Sequence, residues 1–170
     1  DAQDYVQEFT EASDGIIEFP RVISGYNIYD DEYMQWAAIN ELRMHYVNTH
    51  FLHPDDLLDP DRGAEKGWPD LKDQYDRFLQ WLKDSAPGLR NMTGREGAMA
   101  VQRFARLAME THDNNGNLEI TFGNFYDEAW LMLRSTKNPS SIEGGVITQI
   151  STDLYLVQAT KSSITISFEE

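Results

Sequence analysis

The stretch Asn48-Thr-His-Phe-Leu-His-Pro-Asp-Asp-Leu-Leu-Asp-Pro-Asp61 marks the point at which an extended segment ends and a polar loop begins. Residues 46–53 predict a strand, in which Val47, Thr49, Phe51 and His53 would share one face. Pro54 lacks the amide hydrogen that a sheet requires, so we expect a loop or a short helical turn after it. Imidazole and carboxylate groups concentrated where a strand gives way to a loop are typical of α/β enzymes.

Helical and strand-like patterns alternate on both sides of this stretch. Before the strand Tyr46 to His53, the sequence predicts an extended segment from Gly15 to Tyr29 and a helix from Asp30 or Asp31 to about His45. After it, the sequence predicts a helix between Pro69 and Pro87 and a short strand from Leu89 to Met92. A last helix begins with the capping box Thr93-Gly-Arg-Glu96 and runs through Ala108. Strands that alternate with helices predict a parallel sheet, or the closing units of a (β/α) barrel, in residues 1–110.

Residues 111–170 have a different pattern, of short strands separated by turns. Asn115-Gly116 predicts a hairpin, and Asn138-Pro139 and Gly144-Gly145 mark further turns. The runs that predict strands are 118–122, 129–133, 146–150, 154–158 and 164–168. The expected fold class is therefore α/β plus β, with an α/β part in residues 1–110 and a small antiparallel sheet or sandwich in residues 111–170.

The composition restricts the possible partners. Lys and Arg number 14 against 29 Asp and Glu, a net charge of −15, which would repel nucleic acid and anionic lipid but not a neutral or cationic sugar polymer. The absence of cysteine excludes disulfides and thiol chemistry, and no apolar run is long enough for membrane insertion. The acidic balance and the absence of cysteine suit an exported protein, so we expect it to be secreted or at the cell surface. Because the first residue is Asp1 rather than Met, we expect the chain to be a piece of a longer protein.

Histidine and aspartate side chains are the first candidates for chemistry. His53, at the predicted strand end, is placed to transfer a proton near neutral pH. His50 lies three residues earlier and is expected on the opposite face, where it packs or hydrogen-bonds, which argues against one metal bound by both. Asp55 and Asp56 are open to three interpretations: metal ligands, a base, or residues that cap a helical turn.

Arginine and aromatic residues form a second group of candidates. Arg21 lies in an otherwise apolar stretch, where it either orients a catalytic carboxylate or is a surface charge on an edge strand. Tyr26, Trp36 and Trp68 are candidates to stack on sugar rings, although aromatic residues at helical spacing more often belong to a core.

Three segments together resemble the closing part of a polysaccharide deacetylase-like domain of the carbohydrate esterase type. They are Glu18-Phe-Pro-Arg-Val-Ile-Ser-Gly-Tyr26, Thr49-His-Phe-Leu-His-Pro-Asp-Asp56 and Leu89-Arg-Asn-Met-Thr93. The likeness covers residues 15–110 and is nearest to enzymes associated with exopolysaccharides, in which a β-rich region follows the deacetylase domain. Leu52-His53 matches the late Leu-His motif of that family, and Arg21 matches its arginine motif more loosely.

The resemblance implies a metal-dependent hydrolase that removes acetyl groups from N-acetyl sugars of an extracellular polysaccharide. It implies that His53 is the general acid and that Arg21 orients the base. The candidates to bind the substrate are Tyr26, His50, Asp55, Asp56 and Trp68. The chain contains no Thr-Phe-Asp-Asp-like segment and no His-x-x-x-His pair. The ligands of the divalent metal, zinc or similar, are therefore expected outside this chain, in the missing N-terminal part of the same polypeptide.

Two other functions are compatible with the sequence. The first is a non-catalytic carbohydrate-binding or structural module, with exposed aromatic residues in the β-rich half. The second is a zinc hydrolase that uses His53, Asp55 and Asp56 directly.

Overall fold

Two units divide the chain between Leu89 and Arg90 in a computed structural model that describes residues 10–19, 23–26, 28–45 and 47–169. The sequence predicts the change of pattern later, at about residue 110. The difference arises because the helix that begins after Thr93 belongs to the second unit and not to the first.

The first unit is built around two helices and short strands. Its elements are β1 (Thr10–Glu11), β2 (Ile17–Glu18), β3 (Ile23–Ser24), α1 (Glu32–His45), β4 (His50–Phe51), a 3-10 helix (Pro54–Leu57) and α2 (Gly67–Ser85). β1 and β2 pair antiparallel, whereas β3 and β4 pair in parallel with Ile23 opposite His50. Because α1 lies between β3 and β4 in the chain, these three elements form a βαβ unit.

The helices of this unit form where the sequence predicts them. Asp31 is the N-cap of α1, because its Oδ1 accepts the backbone N–H of Met34 at 3.1 Å. In α2, Leu71, Phe78 and Leu82 recur at helical spacing and are buried. One hydrophobic cluster unites β3, α1 and α2, and its buried members are Ile23, Ile28, Ala38, Phe78 and Leu82.

The strands of the first unit are much shorter than the sequence predicts. The strand expected from Tyr46 to His53 is reduced to His50–Phe51, and Tyr46 lies outside the described residues. One physical reason is that the Thr49 amide donates to the Glu41 carboxylate at 3.1 Å. The extended segment predicted from Gly15 to Tyr29 contains only β2 and β3 in its described part. The four two-residue strands described in this unit do not close a barrel.

The second unit contains two antiparallel sheets and one helix. Its elements are α3 (Gly94–Arg106), β5 (Ala108–Asn114), β6 (Asn117–Gly123), β7 (Ala129–Arg134), β8 (Pro139–Glu143), β9 (Gly145–Ser151), β10 (Leu154–Ala159) and β11 (Ser163–Phe168). The strand order is β5-β6-β11-β8 in one sheet and β7-β10-β9 in the other. Both sheets contribute to one buried cluster, which includes Ile120 and Ile166 from the first sheet and Val157 from the second. The arrangement is therefore a small sandwich.

Several sequence predictions for this unit are confirmed. All five predicted strands lie within observed strands. The turn at Asn115-Gly116 has positive φ at both residues, 54° and 84°, as a two-residue hairpin requires. The capping box is also present, because Thr93 accepts from the amide of Glu96 while the Glu96 carboxylate accepts from the amide of Thr93.

Three predictions in this part of the chain are wrong. Leu89 to Met92 is not a strand, because the segment has no pairing partner in the described chain and leads directly into the Thr93 N-cap. α3 ends at Arg106 rather than Ala108, where β5 already begins. Pro139 starts a strand instead of a turn; β8 lies at the edge of its sheet, where proline is tolerated at the first position.

Candidate functional site

His53 lies immediately after the parallel pair, at the point where β4 leads into the 3-10 helix. Its side chain is 42% exposed, and its Nδ1 lies 3.7 Å from Oδ1 of Asp55. The ring of Phe51 packs edge-on against the imidazole, with centroids 4.5 Å apart and planes at 85°. Contacts with an aromatic ring and with a carboxylate restrict the orientation of an imidazole that solvent still reaches. The geometry suits proton transfer, because the ring is both oriented by its neighbours and accessible to solvent.

His50 has a different environment. Its Nε2 donates a hydrogen bond to the carbonyl oxygen of Gly25 at 2.8 Å. Its ring makes edge contacts with the rings of Tyr75 and Phe78. Its Nδ1 is buried and has no hydrogen-bond partner among the described residues. Burial lowers the pKa of His50, so the ring is neutral at neutral pH. The structure therefore holds His50 by packing and by one backbone hydrogen bond, and leaves His53 accessible to solvent.

The aspartates that follow Pro54 separate into two groups. Asp55 is exposed and faces His53. Asp56 is buried, and its Oδ1 accepts a hydrogen bond from Arg62 Nη1 at 3.1 Å. Arg62 also lies 3.4 Å from Asp59, whose carboxylate accepts the amide of Asp61. Asp56 and Asp59 thus stabilise the turn through Arg62, and Asp55 is the carboxylate next to the imidazole.

Two of the three predicted aromatic residues, Tyr26 and Trp68, meet in one cluster, whereas Trp36 packs against Tyr33. Tyr26 is buried and makes edge contacts with Trp68 and Tyr75, at centroid distances of 5.7 and 5.6 Å. His50 joins the same cluster through Tyr75 at 5.2 Å. Trp68 is nearly half exposed, so it is the member of this cluster with the largest surface for a ligand. Arg21, the residue expected to orient a base, lies outside the described residues.

Glu41 is a buried acid that the sequence analysis did not select. Its side chain is on α1 and only 3% exposed. Oε2 accepts from Asn48 Nδ2 at 3.0 Å and from the Thr49 amide at 3.1 Å, and Oε1 accepts from the Thr49 hydroxyl at 2.8 Å. Burial raises the pKa of Glu41 to about 7, although the hydrogen bonds from Thr49 oppose the shift. The sequence signal that could have identified Glu41 as buried is its spacing, three residues after Ala38 on the apolar face of the helix.

A metal ion does not fit the side chains in the described part of the chain. No group of three His, Asp or Glu residues is arranged there to hold one. His50 Nε2 is engaged by Gly25, and Asp56 is engaged by Arg62. The metal that the resemblance implies would therefore need ligands from residues outside this described part.

We expect the 170-residue chain to bind zinc, cobalt or nickel no more tightly than exposed carboxylates do. Isothermal calorimetry with each ion measures this, and Asp55→Ala is the variant that separates the two outcomes. A stoichiometric site of about micromolar affinity that is lost in Asp55→Ala would instead support the zinc hydrolase that uses His53, Asp55 and Asp56.

Three comparisons with known proteins gave one match, to a family model. No curated protein and no solved structure is significantly similar to the chain. None of the helices in the described residues is long and apolar enough to cross a membrane. A family model described as an uncharacterised protein conserved in bacteria (DUF2194) matches residues 1–156. Because the match covers most of the 170 residues, the chain belongs to this bacterial family.

Proposed function

We propose that the chain is the histidine-bearing part of a metal-dependent polysaccharide deacetylase that is secreted or at the cell surface. Its substrate is an extracellular polysaccharide of N-acetyl sugars. The reaction adds water to the acetyl carbonyl carbon and breaks the C–N bond, so that acetate and a sugar amine are the products. The amine leaves only with an added proton, which a general acid must supply.

The observation that carries the proposal is the placement of His53. The imidazole is accessible to solvent at the exit of a strand in a parallel pair, beside Phe51 and 3.7 Å from the Asp55 carboxylate. In α/β enzymes, chemistry is concentrated in the loops that follow the strands. In the proposed reaction the imidazole at this position donates a proton to the leaving nitrogen.

The remaining parts of the site follow from the resemblance. The proposal assigns the divalent metal and the base to residues outside this chain, and assigns to Arg21 the orientation of that base. The candidates to contact the substrate are Asp55, beside His53, and Trp68, the most exposed member of the aromatic cluster. Tyr26 and His50 support this surface from within the aromatic cluster.

Acetate release tests the proposal directly. We expect the natural gene product that carries this chain, loaded with zinc or cobalt, to release acetate from oligomers of N-acetylglucosamine. The 170-residue chain alone, under the same conditions, is expected to release none. If the metal-loaded natural protein releases no acetate from any N-acetylated oligosaccharide tested, the deacetylase proposal is wrong.

A further inference from the structure

Two large aromatic side chains lie exposed on one face of α1. Tyr33 is 67% exposed and Trp36 is 62% exposed. Their ring centroids are 5.9 Å apart, and their planes differ by 29°. Three residues of separation place both side chains on the same face of the helix, where each ring supports the other. We call this pair the aromatic platform.

Acidic side chains border the platform. An open depression of about 590 Å³ is lined by Asp30, Asp31, Glu32, Tyr33 and Lys66. Asp31 caps α1, but Asp30 and Glu32 form no ion pair with any residue that the structure describes. Three carboxylates against the single ammonium of Lys66 give the lining a net negative charge. A ligand that fits this surface therefore combines a face that can stack on aromatic rings with positive charge.

We propose that the aromatic platform binds an oligosaccharide with free amino groups, such as a run of glucosamine units. The apolar C–H faces of sugar rings stack on exposed tyrosine and tryptophan, which lose little conformational entropy on binding. Protonated amines are attracted both to the faces of the two rings and to the neighbouring carboxylates. An N-acetylated sugar has the same apolar face but no positive charge, so it gains only the stacking contact.

This ligand is the product class of the proposed reaction, and only that link rests on the proposed function. A surface that prefers deacetylated segments would hold a processed stretch of polymer on the enzyme while acetylated sugars further along remain in reach. The binding itself does not require catalysis.

Calorimetry on the 170-residue chain tests the platform, with tetramers of glucosamine and of N-acetylglucosamine as probes. We expect the glucosamine tetramer to bind about tenfold more tightly at low salt, and to lose most of that preference above about 0.5 M salt. Trp36→Ala is expected to weaken glucosamine binding about tenfold. The double change Asp30→Asn with Glu32→Gln is expected to weaken it about threefold to fivefold and to flatten its salt dependence.

Matched variants separate this proposal from the others. Tyr126→Ala removes a tyrosine that is 79% exposed in the second unit and should not change binding. His53→Ala should also leave it unchanged, so loss of deacetylation and loss of the platform are distinguishable. Equal affinity for the two tetramers, or no effect of Trp36→Ala, overturns the proposal. So does a lysine tetrapeptide that binds as tightly as the glucosamine tetramer, because the peptide has the charge without the sugar rings.

Discussion

Replacing His53 with alanine in the full-length protein is expected to lower turnover on an acetylated oligosaccharide by about 100- to 10,000-fold. The reason is that, in the proposed reaction, the exposed imidazole beside Asp55 would supply the proton without which the amine cannot leave. The fold and the metal content should be unchanged, because the ring is exposed and the residues that it contacts are themselves near the surface. Substrate binding should change little, since the interaction is made in the transition state. Steady-state acetate release, circular dichroism and metal analysis measure the three quantities.

Two other histidines provide the comparison. His112, exposed on β5, is a matched control, and His112→Ala should retain normal turnover. His50→Ala should act mainly through stability, because His50 packs against Tyr75 and Phe78 and donates to Gly25. If His53→Ala keeps near-normal turnover while His50→Ala abolishes it without unfolding the protein, the two roles are reversed. If neither change matters, this segment is not part of a deacetylase site.

The difference between these histidines shows how far sequence reasoning reaches. The sequence pattern predicted His50 within a strand and His53 at its end, and Pro54 predicted a loop or a short helical turn, of which the structure has the turn. The contacts that distinguish the two rings were not predictable. The Gly25 carbonyl and the Tyr75 ring come from positions 25 residues away in each direction. Only tertiary packing brings them to His50.

Local signals predicted structure where each element is decided by its own residues. α2 has apolar residues at helical spacing, α3 has a complete capping box, and Asn115-Gly116 takes the φ values of its turn type. The formation of these elements depends little on contacts with the rest of the chain. The strands of the second unit were therefore predicted well, since each predicted segment alternates or runs apolar and lies in an antiparallel sheet.

The errors lie where a distant partner decides the outcome. Leu89 to Met92 has the composition of a strand but no strand beside it, and the strand expected from Tyr46 is shortened near Thr49. The α/β part was expected to resemble closing units of a barrel, whereas the described residues form a βαβ unit with two-residue strands. A period of two indicates that residues are extended, but it does not show how many of them pair with a neighbouring strand.

Glu41 leads to the second large prediction, which concerns stability and pH. In the folded chain the pKa of Glu41 is raised by burial from 4.5 to about 7. Between these two values the folded state keeps a proton that the unfolded state has released. The unfolding free energy contributed by this group is therefore highest below pH 4.5 and falls as the pH rises to about 7. The total loss is about 3 kcal/mol, since one pKa unit corresponds to 1.36 kcal/mol.

Glutamine at position 41 isolates this contribution. Protonated Glu41 keeps the two bonds from Asn48 and Thr49 to Oε2, and its hydroxyl can donate to Thr49 Oγ1. The glutamine amide has the same pattern of one acceptor and one donor and never becomes charged. Glu41→Gln should therefore match the stability of the original chain near pH 4 and exceed it by about 3 kcal/mol at pH 8.

Hydrogen exchange followed by mass spectrometry measures this difference in the intact chain, because peptides from residues 10–89 report on the first unit separately. Glu65→Gln is the matched control: it removes one exposed carboxylate from the same unit, so its effect on exchange should be small at both pH values. Equal protection of Glu41→Gln and the original chain at pH 8 would show that ionisation of Glu41 does not lower the free energy of unfolding. The three donors from Asn48 and Thr49 would then compensate fully for burial, and the carboxylate would stabilise the link between α1 and β4 in its charged form.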